Sequence, residues 1–454
     1  MKKPSEQNAH DGYYEIGVGT ADITPPVGTA LAGNFRDDYA SRGVHEPLRA
    51  RALVVRQGDR AVAVIVADLL SVPEVLVRRV REQVQQACGL QAAQVMVAAT
   101  HTHSGPAVEP VAGPDESSAA IECVLPGMVE SCVQAWRACR PMRLWSAVAH
   151  GEDLFYNRRI RLRDGSTVMN WTLPPPASID QALGPVDPEI GVLFCGDDAS
   201  HPAVVASNAA LHAAVLAGDN WLINPDWPGY YYRAIQQVFG PDTTAIFLQG
   251  AEGNINHIDL HDRLQGRGFK EAQRIGSAMA LAAAATRFAA QPVLGPLSWS
   301  SEVVSLPPRQ ISEDQLAWAQ QMISQSAHSA AAPAGQVDGI PDQVFARDQL
   351  ELAQRSEPYA AEIQVLRIGE VAIVGLPGEF FVEFGLAIKR ASPARITLVA
   401  GLANGSTGYV PTAEAFDEGG YEPTAWRYSK LAPQAGMICV ESARRQLGSL
   451  FAAF

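Results

Sequence analysis

Runs and alternations of apolar residues divide this chain into short buried strands joined by amphipathic helices. Tyr14 to Val18 and Arg51 to Arg56 read as strands. After the turn Gln57-Gly58-Asp59-Arg60, the stretch Ala61 to Ala67 carries Val62, Val64, Ile65 and Val66 without a polar break, the pattern of a strand covered on both faces. A helix follows, with Ser71 as its cap, Glu74 completing a capping box, Leu76, Val80, Val84 and Ala87 at helical spacing, and Gly89 as its stop. Gln94 to Thr100 is a second buried strand, so the segment is a βαβ unit whose ligands belong at the carboxyl ends of its strands.

Farther along, strands are expected at Glu189 to Phe194, Ala203 to Asn208, Thr244 to Leu248 and Ile396 to Ala400, with helices at Gly229 to Phe239 and Arg267 to Ala289. Ala361 to Arg367 and Val371 to Gly375 form a hairpin turning at Ile368-Gly369-Glu370. Ser312 to Arg355 reads as helical, interrupted by the Ala/Ser/Pro/Gly-rich stretch Ser326 to Gly339, and a last helix closes the chain near Phe454. The expected fold class is α/β, with mixed sheets and helices packed around them. Residues 1–13 are expected to form a flexible tail, and 14–454 a single domain with a helical insertion around 308–358.

Composition narrows the classes of function. With 35 Lys+Arg against 48 Asp+Glu the net charge is −13, which argues against nucleic acid as a partner because phosphate binding needs a clustered basic surface. Hydrophobic residues at 47% and charged residues at 18% suit a large buried core. The N-terminal segment has lysines but no apolar stretch behind them, and Ile275 to Thr286 is too short to cross a bilayer, so no membrane insertion is expected. Six cysteines without CxxC spacing fit reduced thiols and a cytoplasmic location.

Four expected strand ends carry ligand-type residues. His101-Thr102-His103 places two imidazoles on one face if the chain is extended. His212 lies in a largely apolar run and needs a partner. Glu379 follows a buried strand and a Pro-Gly corner, where it also suits the N-terminus of a helix beginning at Phe380. Tyr409 sits in a Gly/Ser/Thr loop. Trp171, Trp221 and Trp227 either line a pocket near His212 or pack elsewhere, and His257-Ile258-Asp259-Leu260-His261-Asp262 is either a second metal site or a polar loop before a helix.

The strings Gly19-Thr20-Ala21-Asp22-Ile23-Thr24-Pro25, Leu48-Arg49-Ala50-Arg51-Ala52, Thr100-His101-Thr102-His103-Ser104-Gly105-Pro106, Leu376-Pro377-Gly378-Glu379-Phe380 and Gly401-Leu402-Ala403-Asn404 occur in this order. Together they resemble the catalytic domain of the neutral ceramidase family, amide hydrolases that use zinc. The resemblance implies a zinc ion held by His101, His212, Glu379 and Tyr409, with Tyr421 and Arg158 beside the substrate carbonyl. It departs at two places. Asn256 stands where the ceramidases carry a serine, and the chain stops at Phe454 without the family's C-terminal β-sandwich.

An amide side chain cannot form an acyl-enzyme, so the expected reaction is attack of zinc-bound water on an N-acyl bond of a small or soluble metabolite. His103 is the expected general base or acid, and Tyr421, Arg158 and Asn256 the expected oxyanion donors. Ester or lactone hydrolysis at the same site, and a non-catalytic metal- or lipid-binding relative, stay open on sequence grounds. So does a homo-oligomer.

Overall fold

The computed structural model of the chain describes residues 13–36, 38–110, 117–151, 153–216, 218–262, 264–326, 337 and 340–452. Almost all of the expected tail, and nearly all of Ser326 to Gly339, lie outside these residues. In chain order the elements that matter are β1 (Tyr13–Asp22), β2 (Arg49–Gln57), β3 (Arg60–Ala67), α1 (Glu74–Cys88), β4 (Val95–Ala99), α2 (Ser117–Arg137), β5 (Arg140–His150), β6 (Glu189–Gly196), β7 (Pro202–Ala209), α3 (Trp227–Phe239), β8 (Thr244–Gln249) and α4 (Gly268–Ala285). They continue with β9 (Leu297–Leu306), α5 (Glu313–Ser326), α6 (Asp342–Leu352), β10 (Tyr359–Ile368), β11 (Val371–Gly375), β12 (Glu379–Phe380), α7 (Val382–Ala391), β13 (Ile396–Ala400), β14 (Tyr409–Val410) and α8 (Ala435–Ala452).

The large sheet has the order β8-β7-β6-β5-β1-β2-β3-β4, and the smaller one β9-β10-β11-β13. Within these two sheets, parallel pairing is confined to β7 with β8, β3 with β4, and β11 with β13. The βαβ unit is therefore as expected, at one edge of the large sheet. The two sheets stack face to face: Val64, Met96, Leu193 and Leu248 of one meet Leu366, Ile373 and Leu398 of the other in a continuous apolar layer. Apolar faces of α1 and α2, of α3 and α4, and of α7 and α8 cover the outer surfaces, giving layers of helix, sheet, sheet and helix.

Two local expectations change. α1 starts after Pro73, whose ring sets φ at −63°, and no side chain caps it; the Ser71 hydroxyl bonds Glu109 instead, so the capping box does not form. Gly89 does end the helix, in the left-handed conformation at φ 76° with its N–H on Gln85 O. The 21-residue α2 has no counterpart among the expected helices. Pro126-Gly127 reads as a break, yet the helix continues through it because Ile121, Val124, Leu125, Met128 and Cys132 bury one face in the core.

Strand ends meet where the edges of the large sheet approach each other. The Gln249 side-chain amide, at the end of β8, donates to Thr100 O beyond β4 (3.3 Å) and to Leu211 O beyond β7 (2.8 Å). Gly401 N, just past β13, donates to Gln249 O at 2.9 Å, and Ala99 N of β4 donates to Leu402 O at 3.2 Å. Four strands thus deliver their carboxyl ends to one region.

Candidate metal centre

His101 follows β4 in the left-handed region, at φ 68°, a conformation rare for a non-glycine residue. Its N–H is held by Leu69 O at 2.9 Å. The extended backbone expected for His101-Thr102-His103 is therefore replaced by a kink, and the two imidazoles meet through that kink, with Nε2 atoms 3.3 Å apart. His212 enters from the loop after β7. Trp227 Nε1 donates to its carbonyl at 3.0 Å, which fixes the loop against the α3 core.

Both ligand-type rings are oriented by main-chain carbonyls. His101 Nδ1 lies 2.8 Å from Leu70 O, and His212 Nδ1 lies 3.0 Å from Glu252 O and 3.1 Å from Ile255 O, so each Nδ1 carries the proton. The two Nε2 atoms lie 3.0 Å apart, with Glu379 Oε2 at 3.4 Å from both; burial lowers the pKa of His101, but the charge of Glu379 outweighs it and raises the value. A tetrahedral ion with bonds of about 2.1 Å sets its ligand atoms roughly 3.4 Å apart; the two imidazole-to-carboxylate distances match this and the imidazole pair, at 3.0 Å, is tighter. Nitrogen and carboxylate donors also suit zinc chemically. Two overlapping groups keep their donor atoms within 4.8 Å of one another: His101, His103 and His212, and His101, His212, Glu252 and Glu379.

Glu379 sits in β12, not at a helix start, and pairs in parallel register with Tyr409 of β14, which sends both side chains to one face. Burial opposes the charge on Glu379, but His101 and His212 prevail and hold its pKa well below the usual carboxylate range. Burial, then the charge of Glu379, pushes the Tyr409 phenol well above its ordinary value. His212 is held down to about 3 by burial and the neighbouring Arg158. Burial, then the neighbouring His101 and His212, holds the pKa of His103 well below the usual imidazole value, and its Nδ1 is buried without a hydrogen-bond partner among the described residues.

Arg158 is 3% exposed. Its Nε donates to Glu422 Oε1 at 2.6 Å, its Nη1 lies 3.1 Å from His212 Nε2, and its Nη2 is buried without a hydrogen-bond partner among the described residues. Arg159 Nη1 takes the other oxygen of Glu422 at 3.0 Å. Tyr421 places its ring 5.6 Å from that of Tyr409, edge to face. A cavity of about 150 Å³ opens beside these groups, with His101, His103, Glu379, Tyr409 and Tyr421 on its floor. Ile340, just before α6, Val344, in its first turn, and Trp426 and Tyr428 form part of its wall.

Asn256 is elsewhere. Its amide is paired with that of Asn170, at 2.6 Å and 2.8 Å, its carbonyl also accepts from Ile258 N, and it does not line the cavity. The oxyanion donor expected of it is engaged by Asn170. Of the three tryptophans, Trp227 is core, Trp221 lies under Arg42 at 4.2 Å, and Trp171 packs edge-on against Tyr421. The segment from His257 to Asp262 forms a polar turn, with Asp259 Oδ1 on His261 N, and contributes to no metal-type cluster among the described residues.

Glu252 escapes the sequence reading. It lies in the loop from β8 to Asn256, is 0% exposed, and neither carboxylate oxygen meets a hydrogen-bond donor among the described residues. Burial, with the charge of Glu379 adding to it, pushes its pKa up to about 8. The signal available was an acid inside a glycine-flanked loop after a buried strand, Gln249-Gly250-Ala251-Glu252-Gly253. Glu422, which clasps both arginines, was likewise visible only as a neighbour of Tyr421.

Residues 14–255 match the family described as neutral/alkaline non-lysosomal ceramidase, N-terminal. The neutral ceramidase of Pseudomonas aeruginosa is 26% identical to this chain over 91% of it and 69% of the relative. That of Mycobacterium tuberculosis is 24% identical, over 90% and 73% respectively. Among solved structures, the crystal structure of the Pseudomonas aeruginosa neutral ceramidase superposes with a TM-score of 0.73 at 21% identity, covering 96% of this chain and 74% of that one.

Proposed function

The chain belongs to the neutral/alkaline non-lysosomal ceramidase family, and from that premise we propose that it is a zinc-dependent hydrolase of N-acyl bonds in small or soluble metabolites. The observation that carries the reading is the convergence of two imidazole Nε2 atoms, 3.0 Å apart, with a carboxylate oxygen 3.4 Å from both. Two imidazole nitrogens and a carboxylate converging at these distances are a donor set suited to a divalent ion. His101, His212 and Glu379 would hold the ion, with Tyr409 beside them. When bound, zinc supplies a water acidified to a pKa of about 7 and a Lewis acid for the scissile carbonyl.

The chain's own residues do the rest. Neutral His103, on the cavity floor with an open Nδ1, accepts the proton from the attacking water and returns it to the leaving amine. Arg158 offers Nη2–H to the oxygen on which charge develops, and the Glu422 clasp keeps that guanidinium from swinging away. Tyr421 adds a phenol from the cavity wall. No serine is required, and Asn256 serves the loop that carries Glu252 by pairing with Asn170. A cavity of about 150 Å³ admits a group the size of benzene, which favours short acyl or compact amide substrates over long-chain ceramide. Six free cysteines support a reducing, cytoplasmic setting.

Metal analysis of the purified protein, combined with product detection across N-acyl amines of increasing chain length, esters and lactams, tests the reading. One zinc per chain and fastest turnover of a short N-acyl amide are expected. Absence of bound divalent metal sinks the mechanism, and a preference for long-chain ceramide sinks the substrate class.

A further inference from the structure

Resting on the metal-site reading above, we infer that Glu252 is itself a ligand of the ion, so that the centre is built from two imidazoles and two carboxylates. Its carboxylate lies within 4.8 Å of the donor atoms of His101, His212 and Glu379, is wholly buried, and has neither oxygen satisfied among the described residues. A buried carboxylate in that state needs a cation or a donor, and the cluster supplies no donor.

The loop is built to hold the side chain there. Gly253 lets the backbone pass against β12: a Cβ at this position would stand 2.4 Å from Glu379 O, and its N–H donates to Phe380 O at 2.8 Å. Gly401 clears the other side, where a Cβ would meet Gly250 O at 2.2 Å and Glu252 Oε2 at 3.1 Å. The Glu252 carbonyl accepts from His212 Nδ1, so one residue orients an imidazole ligand through its main chain and offers a carboxylate to the same place. Charge is matched as well. Glu252 and Glu379 together carry two negative charges, the number a divalent ion neutralises. Two carboxylates also make a harder donor set than one, so the site should accept Mn²⁺ as well as Zn²⁺.

The test measures metal affinity by competition with a chromophoric chelator, for Zn²⁺ and Mn²⁺, in the wild type and in Glu252→Gln and Glu252→Asp, together with the visible absorption of the Co²⁺-loaded proteins. Glu252→Gln should weaken Zn²⁺ binding at least tenfold, abolish measurable Mn²⁺ binding and change the Co²⁺ spectrum, with Glu252→Asp intermediate. Stripped of metal, Glu252→Gln should unfold no earlier than the stripped wild type, since it removes an unpartnered carboxyl. Unchanged affinity and an unchanged Co²⁺ spectrum overturn the assignment, as does a stripped variant that unfolds early. If the wild type itself binds no divalent ion, the metal-dependent function fails and this assignment with it, an outcome distinct from a variant that matches a metal-binding wild type.

Discussion

Glu252 and Glu422 are the same residue type, both 0% exposed, and they sit in opposite circumstances. Glu422 accepts from Arg158 Nε at 2.6 Å and from Arg159 Nη1 at 3.0 Å, so its charge is answered inside the protein. Glu252 has no donor on either oxygen among the described residues, and it shares its surroundings with Glu379 and the imidazoles of His101 and His212. Burial alone therefore does not mark a functional carboxylate here. What marks it is burial without an internal partner, in a place that several strands have been brought together to form. The satisfied cluster braces the site, and the unsatisfied one awaits a ligand.

The most severe way to break this contrast is to empty the unsatisfied cluster. His101→Ala should lower turnover of the best amide substrate by at least about 1,000-fold, because several kcal/mol of transition-state stabilisation leave with the ion. Steady-state kinetics and metal content check this together. Turnover within tenfold of the wild type, with metal lost, would falsify the proposed mechanism.

The satisfied cluster should fail differently. Glu422→Gln leaves two buried guanidinium groups short of their shared carboxylate, and removing one partner of a buried ion pair costs about 3 to 5 kcal/mol. Urea unfolding should show the lower midpoint with an unchanged slope. A loss below about 1 kcal/mol would mean that the clasp is not what stabilises this region.

His257 lies between the two cases, with Nδ1 buried and unpartnered but no converging ligands. Burial holds its pKa down to about 4 in the folded chain, against about 6.5 unfolded. The unfolded state therefore takes up a proton first as pH falls, so stability is lost from about pH 6.5 downward and levels off below about pH 4. Asp226 contributes the opposite slope, because burial raises its pKa to about 6, so the measurement has to be a difference between two proteins. Between pH 7 and 5 the wild type should lose about 2 kcal/mol more than His257→Gln, read from urea unfolding at each pH. Parallel pH profiles would show that the histidine is solvated rather than buried.

The same contrast explains which parts of the molecule the sequence made legible. Buried strands such as β3, β4 and β8 declare themselves by apolar runs, and the βαβ pattern alone puts the HTHSGP string at a strand end. α2 was hidden because Pro126-Gly127 imitates a break and only tertiary burial overrides it. The kink at His101 was hidden too, since nothing in the string demands a left-handed histidine. The ligand set came from resemblance, not from spacing, for its members are scattered between residues 101 and 409. Glu252 and Glu422 carry no periodicity at all, and their opposite roles depend on what folds against them.

Asn256 supplies the finest test of the contrast, because it stands one short loop from Glu252 yet is satisfied. Asn256→Ala removes the donor to Asn170 Oδ1 and the acceptor for Asn170 Nδ2, although Asn170 keeps its bond to Ile258 O at 2.9 Å. A buried amide left partly unpaired costs about 1 to 2 kcal/mol, so the variant should unfold slightly earlier. Turnover should fall less than about tenfold, and metal content should not change, since the residue neither lines the cavity nor belongs to the donor set. If turnover vanished while the metal stayed bound, Asn256 would have to touch the reacting atoms, and the division between a satisfied brace and an unsatisfied centre would no longer hold at this loop.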